Sequence, residues 1–279
     1  MTDFFDRHRF GRLLRAHLAE HCRDYFWFVV VASLIEIVYM GIALRGELQG
    51  GRLFAEFQFT GQAARYGVGL VITSFIFCGR YFRELQQPGS ALTLLMRPAS
   101  VFEKFLLTFL MAGLAFPVVF AVVYAVLNYP FVQLANALYV TPKVCPGCVM
   151  PVPPDFSLYL PFRMPFHIAA SQQHPIHTVG AELLPYLLLW IMQGIVLGAT
   201  VFFRRAGLLW MFLIGFVVML GLSAFGIQPH LEVFIQAPNF DDGIGFSTLQ
   251  KWLSLLVWGG ILVLAWLALY FHIKEREVA

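Results

Sequence analysis

The sequence predicts an all-α integral membrane protein of about six transmembrane helices, led by an amphipathic helix in the membrane interface. Three observations carry this. The chain of 279 residues is 59% hydrophobic and 13% charged, and its mean hydropathy is +0.73. Soluble domains carry about 25% charged residues and roughly 45–50% apolar ones, so one aqueous core cannot hide this much apolar surface. Apolar windows of spanning length recur along the chain. The basic residues then alternate between the ends of those windows as they do in proteins inserted with one side positive.

Residues 1–25 carry Phe10, Leu13, Leu14 and Leu18 at helical spacing, with Arg9, Arg12, Arg15 and Glu20 on other faces. The pattern suits a helix lying in the cytoplasmic interface with its arginines near anionic head groups. It also suits a plain lead-in to the first span, and the two readings are compatible. No short apolar run ending in a small-residue cleavage site precedes Tyr25, so the first span is expected to act as its own insertion signal.

Six windows then follow: Phe26–Leu44, Gly67–Phe82, Val101–Leu127, Leu183–Phe203, Gly207–Gly226 and Leu253–Ile273. The second is the shortest and leans on Tyr66 and Tyr81 as interfacial anchors. The third is long enough to tilt, and Pro117 is expected to kink it. With the N-terminus inside, the cytoplasmic segments hold 13 of the 19 basic residues, from Arg7, Arg9, Arg12, Arg15 and Arg23 to Lys274 and Arg276. The outer segments keep Arg45, Arg52, Arg65, Lys143, Arg163 and Lys251. Both termini are therefore expected in the cytoplasm. The small net charge of +3 is spread out and does not point to nucleic acid.

The connection from Asn128 to Glu182 is the largest polar region and holds 9 of the 15 prolines. Proline lacks a backbone donor and clashes inside a helix, so an irregular, fairly rigid outer cap is expected there. Without internal repeats or a low-complexity linker, the chain reads as a single membrane domain (1–279).

Candidate chemistry is sparse. There is no G-x-x-x-x-G-K-[ST] loop, no nucleophile elbow and no H-E-x-x-H, so no catalytic residues and no cofactor are assigned, and any ATP hydrolysis falls to a partner. Glu36 is the acid deep in a predicted span, a functional candidate by default. It also reads as a neutral carboxyl bonded to Ser33, Gln193 or another polar neighbour. Gln193 and Asn128 are softer cases of the same kind. Gly194 and Gly198 make a GxxxG, which usually marks close helix packing. In the outer loop Cys145 and Cys148 form a C-P-G-C, followed by His167, His174 and His177. A disulfide is the favoured reading on an oxidising side. A metal site, a thiol-redox pair and two unpaired thiols remain open, although the Cys-to-His spacing matches no standard finger. No metal is assigned.

The cytoplasmic stretch after the second window reads GRYFRELQQPGSALTLLMRPASVFEKF. Pro88-Gly89 makes a turn, and Ser90 can cap a short amphipathic helix through Leu92, Leu94, Leu95 and Met96. Pro98 stops that helix, and Ser100 with Glu103 forms a capping box that starts the third span. By pattern this is either a partner-docking surface or a plain intracellular hairpin.

Phe82, Glu84, Leu85, Gly89, Leu95, Pro98, Ala99, Ser100, Glu103, Lys104 and Phe105 resemble a stretch found in small six-span permeases of the ABC-2 type, with an architecture like that of type V exporters. RFGRLLRAHL near the start and YFHIKEREV near the end are similar to that group as well. The outer loop is not, and Met96-Arg97 departs mildly from its usual pattern. The resemblance implies a permease subunit that acts as a homodimer or beside a second permease in a bacterial inner membrane. It further implies that Gln87, Pro88, Gly89, Leu92, Leu94, Leu95, Pro98, Ser100 and Glu103 form a coupling helix and its hinge, docking on a separate ATPase subunit. Export of an unidentified substrate is the expected activity. A redox or metal-handling protein using the C-P-G-C loop, or a non-transporting scaffold, is the alternative.

Overall fold

The computed structural model describes residues 5–50, 54–81, 99–139, 156–160, 179–202 and 248–278. Every regular element among them is a helix. α1 runs Arg7–Gly50, a short 3-10 helix covers Ala55–Phe57, and α2 runs Phe59–Tyr81. α3 (Val101–Thr108) passes through a π-helical segment, Phe109–Ala115, into α4 (Phe116–Leu138). α5 covers Val179–Phe202 and α6 Thr248–Val278.

Three stretches are long and apolar enough to cross a bilayer, namely Arg7–Leu48, Val101–Leu138 and Leu256–Glu275, and Tyr186–Phe202 is a shorter apolar one. These helices make the chain an all-α membrane protein. Their outward faces are lined by side chains such as Ile35, Ile42, Val126 and Leu264, which are exposed in the isolated chain. In water that exposure would be costly, and lipid tails relieve it. The window Gly67–Phe82 falls on α2 as far as Tyr81, whereas Gly207–Gly226 lies outside the described residues.

Residues 7–25 continue as α1 directly into the first window, the course of a lead-in to the first span. Within that stretch Leu13 is buried and Phe10 half-buried, while Arg12, Arg15 and Leu18 are exposed. The expected outer loop is shorter at both ends than the sequence suggests. The chain stays helical past Asn128 to Leu138, with Pro130 inside α4, which corrects the expected irregular start of the outer loop. A proline costs the helix one hydrogen bond. Here Val132 is buried, and Ala135 packs with Phe54 and Phe57 in a small core, which offsets that loss. At the other end of the loop α5 already begins at Val179.

The helices form two compact units. One is built from the described parts of Met1–Leu14, Ser74–Ala115 and Met164–Ala279, the other from Arg15–Thr73 and Phe116–Arg163. In the first, α5 packs along α6, and α6 also meets α3. Phe109 stands edge-on to Trp266 with ring centres 4.9 Å apart, and Phe105 meets Tyr270 at 5.7 Å.

The π segment has a local cause. Pro117 has no N–H, so the carbonyl four residues back, Gly113, loses its α-helical partner, and the one five back, Ala112, its π-helical partner. Side chains of α5 take both places. Trp190 Nε1 donates to the Gly113 carbonyl at 2.8 Å, and Gln193 Nε2 to the Ala112 carbonyl at 2.9 Å. The Trp190 carbonyl in turn accepts from Trp266 Nε1 at 3.0 Å. Pro117 thus opens the backbone for docking α5.

Only one half of the GxxxG is a contact. A Cβ on Gly194 would lie 3.1 Å from Ala265 Cβ and 3.3 Å from the Trp266 indole, whereas one on Gly198 would meet nothing within 4 Å. Gly194→Val should therefore push α5 off α6 at a cost of about 1–3 kcal/mol, while Gly198→Ala should change stability by less than ~1 kcal/mol. Thermal unfolding of the two variants in detergent checks the contrast.

Candidate functional site

The second unit holds a chain of buried polar side chains drawn from α2 and α4, joined by the half-buried Glu36 of α1 and by backbone carbonyls of the short 3-10 helix. Gln62 and Arg65 sit three residues apart on α2, and Tyr124 and Asn128 four apart on α4, so each pair shares one helix face. Gln62 and Asn128 are wholly buried. The Gln62 amide uses all of its capacity. Its Nε2 donates to the carbonyls of Phe57 (2.7 Å) and Ser157 (2.9 Å). Its Oε1 accepts from Asn128 Nδ2 (2.7 Å) and the Tyr159 amide (2.9 Å). The Tyr124 hydroxyl donates to the Gln62 carbonyl at 2.7 Å.

Arg65 is the centre of the cluster. Its Nη2 donates to Asn128 Oδ1, and its Nη1 to the Glu56 carbonyl at 3.2 Å. The guanidinium lies 5.4 Å from the Phe57 ring centre and 5.8 Å from that of Tyr124, two cation–π contacts in a desolvated place. Its Nε faces Glu36 Oε1 at 3.4 Å. Neither of these two atoms makes a hydrogen bond, so the pair is held by charge rather than by bond geometry.

The turn between α1 and α2 supports the site. Phe54 takes a left-handed backbone conformation, φ 51, which costs a non-glycine residue about 1–3 kcal/mol. It persists because the ring is buried and because the Glu47 carboxylate accepts the amides of Phe54 (2.8 Å) and Ala55 (2.9 Å). Gly61 fits under this turn, since any Cβ there would collide with the Ala55 carbonyl and lie 2.9 Å from Glu56 Cα.

The first unit contains a separate cluster around Glu103, which is fully buried. The capping box with Ser100 is formed: Ser100 Oγ accepts from the Glu103 amide at 3.2 Å, and Glu103 Oε2 from the Ser100 amide at 3.0 Å. The same carboxylate also accepts from Arg9 Nε at 3.0 and 2.8 Å and from the Asp6 amide at 2.9 Å. Phe5 packs edge-on to Phe102 beside it. The start of α1 is thereby clamped to the start of α3.

Of the residues picked out by sequence, Glu36 pairs with Arg65, and neither Ser33 nor Gln193 is its partner. Gln193 is buried against Ser74 Oγ (2.9 Å) and the Ala112 carbonyl, and its Oε1 has no hydrogen bond. Ser100 and Glu103 stand at the base of α3. Gln87, Pro88, Gly89, Leu92, Leu94, Leu95 and Pro98 lie outside the described residues, as do Cys145, Cys148, His167, His174 and His177. Cys22 and Cys78 are free thiols, the first exposed and the second buried. Among the described residues no three His, Cys, Asp or Glu side chains gather as a metal site would need.

Arg65 and Gln62 carry no mark in the sequence, because both precede the second apolar window. The available signal was their spacing of three residues, next to a span. Arg9 likewise read only as one of several basic residues.

Comparison with family models, with curated proteins and with solved structures gives no match for this chain.

Arg65→Met should remove the cation on which Asn128, the Glu56 carbonyl and Glu36 converge. Leaving partners of a buried charge unpaired costs about 3–5 kcal/mol. Glu36→Met combined with Arg65→Met should recover part of that loss, because no lone carboxylate then remains. Unfolding of the single and double variants in detergent measures the difference.

Proposed function

We propose that this chain is the six-span membrane subunit of an ATP-driven transporter, inserted in a bacterial inner membrane with both ends in the cytoplasm. It would work as a pair of permeases with a separate ATPase subunit docked on the connection from Gln87 to Ser100. Export of an unidentified substrate is the expected direction. The sequence resemblance supplies the coupling segment, and the observation that best supports it is the clamp at Glu103. Energy delivered to a loop moves a helix only if the joint between them is stiff. Here the joint is a buried carboxylate that accepts from the Ser100 amide, the Asp6 amide and the Arg9 guanidinium at once. Charge-assisted hydrogen bonds of this kind are about twice as strong as neutral ones. A push on the coupling segment would then be passed to α3, and through Arg9 to α1, without being lost in bending.

The test separates docking from transmission. Affinity purification of the full chain from its native membrane should bring down a protein containing a P-loop, with ATPase activity in proteoliposomes. Changing both Leu94 and Leu95 to Asp should abolish that association. Glu103→Gln keeps the partner's access but removes the charge that holds Arg9. It should leave association intact while lowering substrate-stimulated ATP hydrolysis by about tenfold, the effect of roughly 1.4 kcal/mol. Association that survives the double Asp change would count against the reading.

A further inference from the structure

Arg65 and Glu36 are not equally committed to each other. Arg65 is fixed by the Asn128 carboxamide, the Glu56 carbonyl and the rings of Phe57 and Tyr124, and its side chain is only 5% exposed. It would keep its place and its charge without Glu36. Glu36 has Arg65 as its one partner among the described residues. It lies at 3.4 Å without a hydrogen bond, and its side chain is 22% exposed. On the face of α1 that carries Glu36, Met40 is buried while Tyr39 is 45% exposed. The carboxylate thus sits at the edge of the packed surface, beside the exposed apolar side chains of Leu34, Ile35 and Val38, which do not stabilise an anion.

We propose that Glu36 is a proton-binding site, with Arg65 as its stationary counter-charge. In the ionised state Glu36 holds the middle of α1 against α2 through the Coulomb attraction of Arg65. Protonation forms an O–H bond on the carboxylate, takes its proton from the aqueous phase, and cancels that attraction. Arg65 stays where it is, because its other contacts do not change. The fixed cation then remains inside the unit as an uncompensated charge until Glu36 ionises again. Among the described residues the other ionisable side chains about the pair are Tyr39 and Glu56, on α1 and the short 3-10 helix, which approach each other to 3.5 Å, and Tyr124 on α4. Proton-binding carboxyls inside membrane proteins are a recurrent means of coupling charge to helix movement. Proton binding at this pair does not depend on whether an ATPase drives the chain.

Infrared difference spectroscopy of the full-length protein in phosphatidylcholine nanodiscs tests it. Between about pH 9 and about pH 5, a range wide enough to titrate a perturbed carboxyl, a protonated-carboxyl band should appear that is missing in Glu36→Gln and displaced in Glu36→Asp. Backbone amides from Tyr39 to Ile42 should exchange with deuterium more readily at the acid end, relative to the intrinsic rate, and Glu36→Gln should show the loosened pattern at both ends. If Glu36→Gln fails to fold, labelling the glutamates with carbon-13 and comparing wild type with Glu36→Asp identifies the band. A wild-type Glu36 that is ionised across the whole range, or neutral across it, overturns the proposal. So does a titrating band that survives in Glu36→Gln.

Discussion

A guanidinium placed among apolar helices has to be solvated by the protein itself, and much of the second unit can be understood as the means of doing so. Arg65 needs acceptors and ring faces at defined positions around it. Asn128 supplies an amide oxygen from α4, and the short 3-10 helix supplies a carbonyl from Glu56 and a ring from Phe57. Each of these is itself held. Gln62 fixes Asn128, and the Glu47 carboxylate fixes the turn that presents Phe57 and Glu56. Even the strained backbone of Phe54 belongs to this arrangement, since it directly precedes the 3-10 helix that meets the charge. Low dielectric strengthens each link and makes any missing one costly.

The first unit solves a related problem with an anion. Glu103 is buried, so its oxygens must be filled, and they are filled by groups close in sequence (Ser100) and far from it (Asp6 and Arg9). The local half is what starts α3 as a helix. The distant half ties that start to α1. One side chain thereby serves as a cap and as a tether, and the two functions cannot be varied independently.

What the sequence discloses follows the range of the interactions. The Ser100–Glu103 box is legible because both partners lie within one turn, and the apolar windows are legible because lipid imposes its requirement on each helix separately. Glu36 and Gln193 stand out for the same reason, as polar groups in apolar runs. Their partners do not. Arg65 lies 29 positions from Glu36, and Ser74 is 119 from Gln193, separations on which helical periodicity is silent. Pro117 is readable as a disturbance, but its consequence depends on α5 carrying Trp190 and Gln193 at the matching height. Pro130 misleads in the opposite sense, because the burial of Val132 and Ala135, which keeps the helix intact around it, is a tertiary effect.

The π segment between α3 and α4 has a geometric consequence of its own. An α-helix advances about 100° per residue, so wider turns within it shift the phase of everything downstream. Phe105 and Phe109 lead into this segment and meet Tyr270 and Trp266, and the carbonyls of Ala112 and Gly113 within it receive Gln193 and Trp190. Removing a single residue from Phe109–Ala115 would turn those two carbonyls out of register with the side chains that fill them. The irregular turn acts as a keyway, cut at one height on the helix and matched by two side chains on its neighbour.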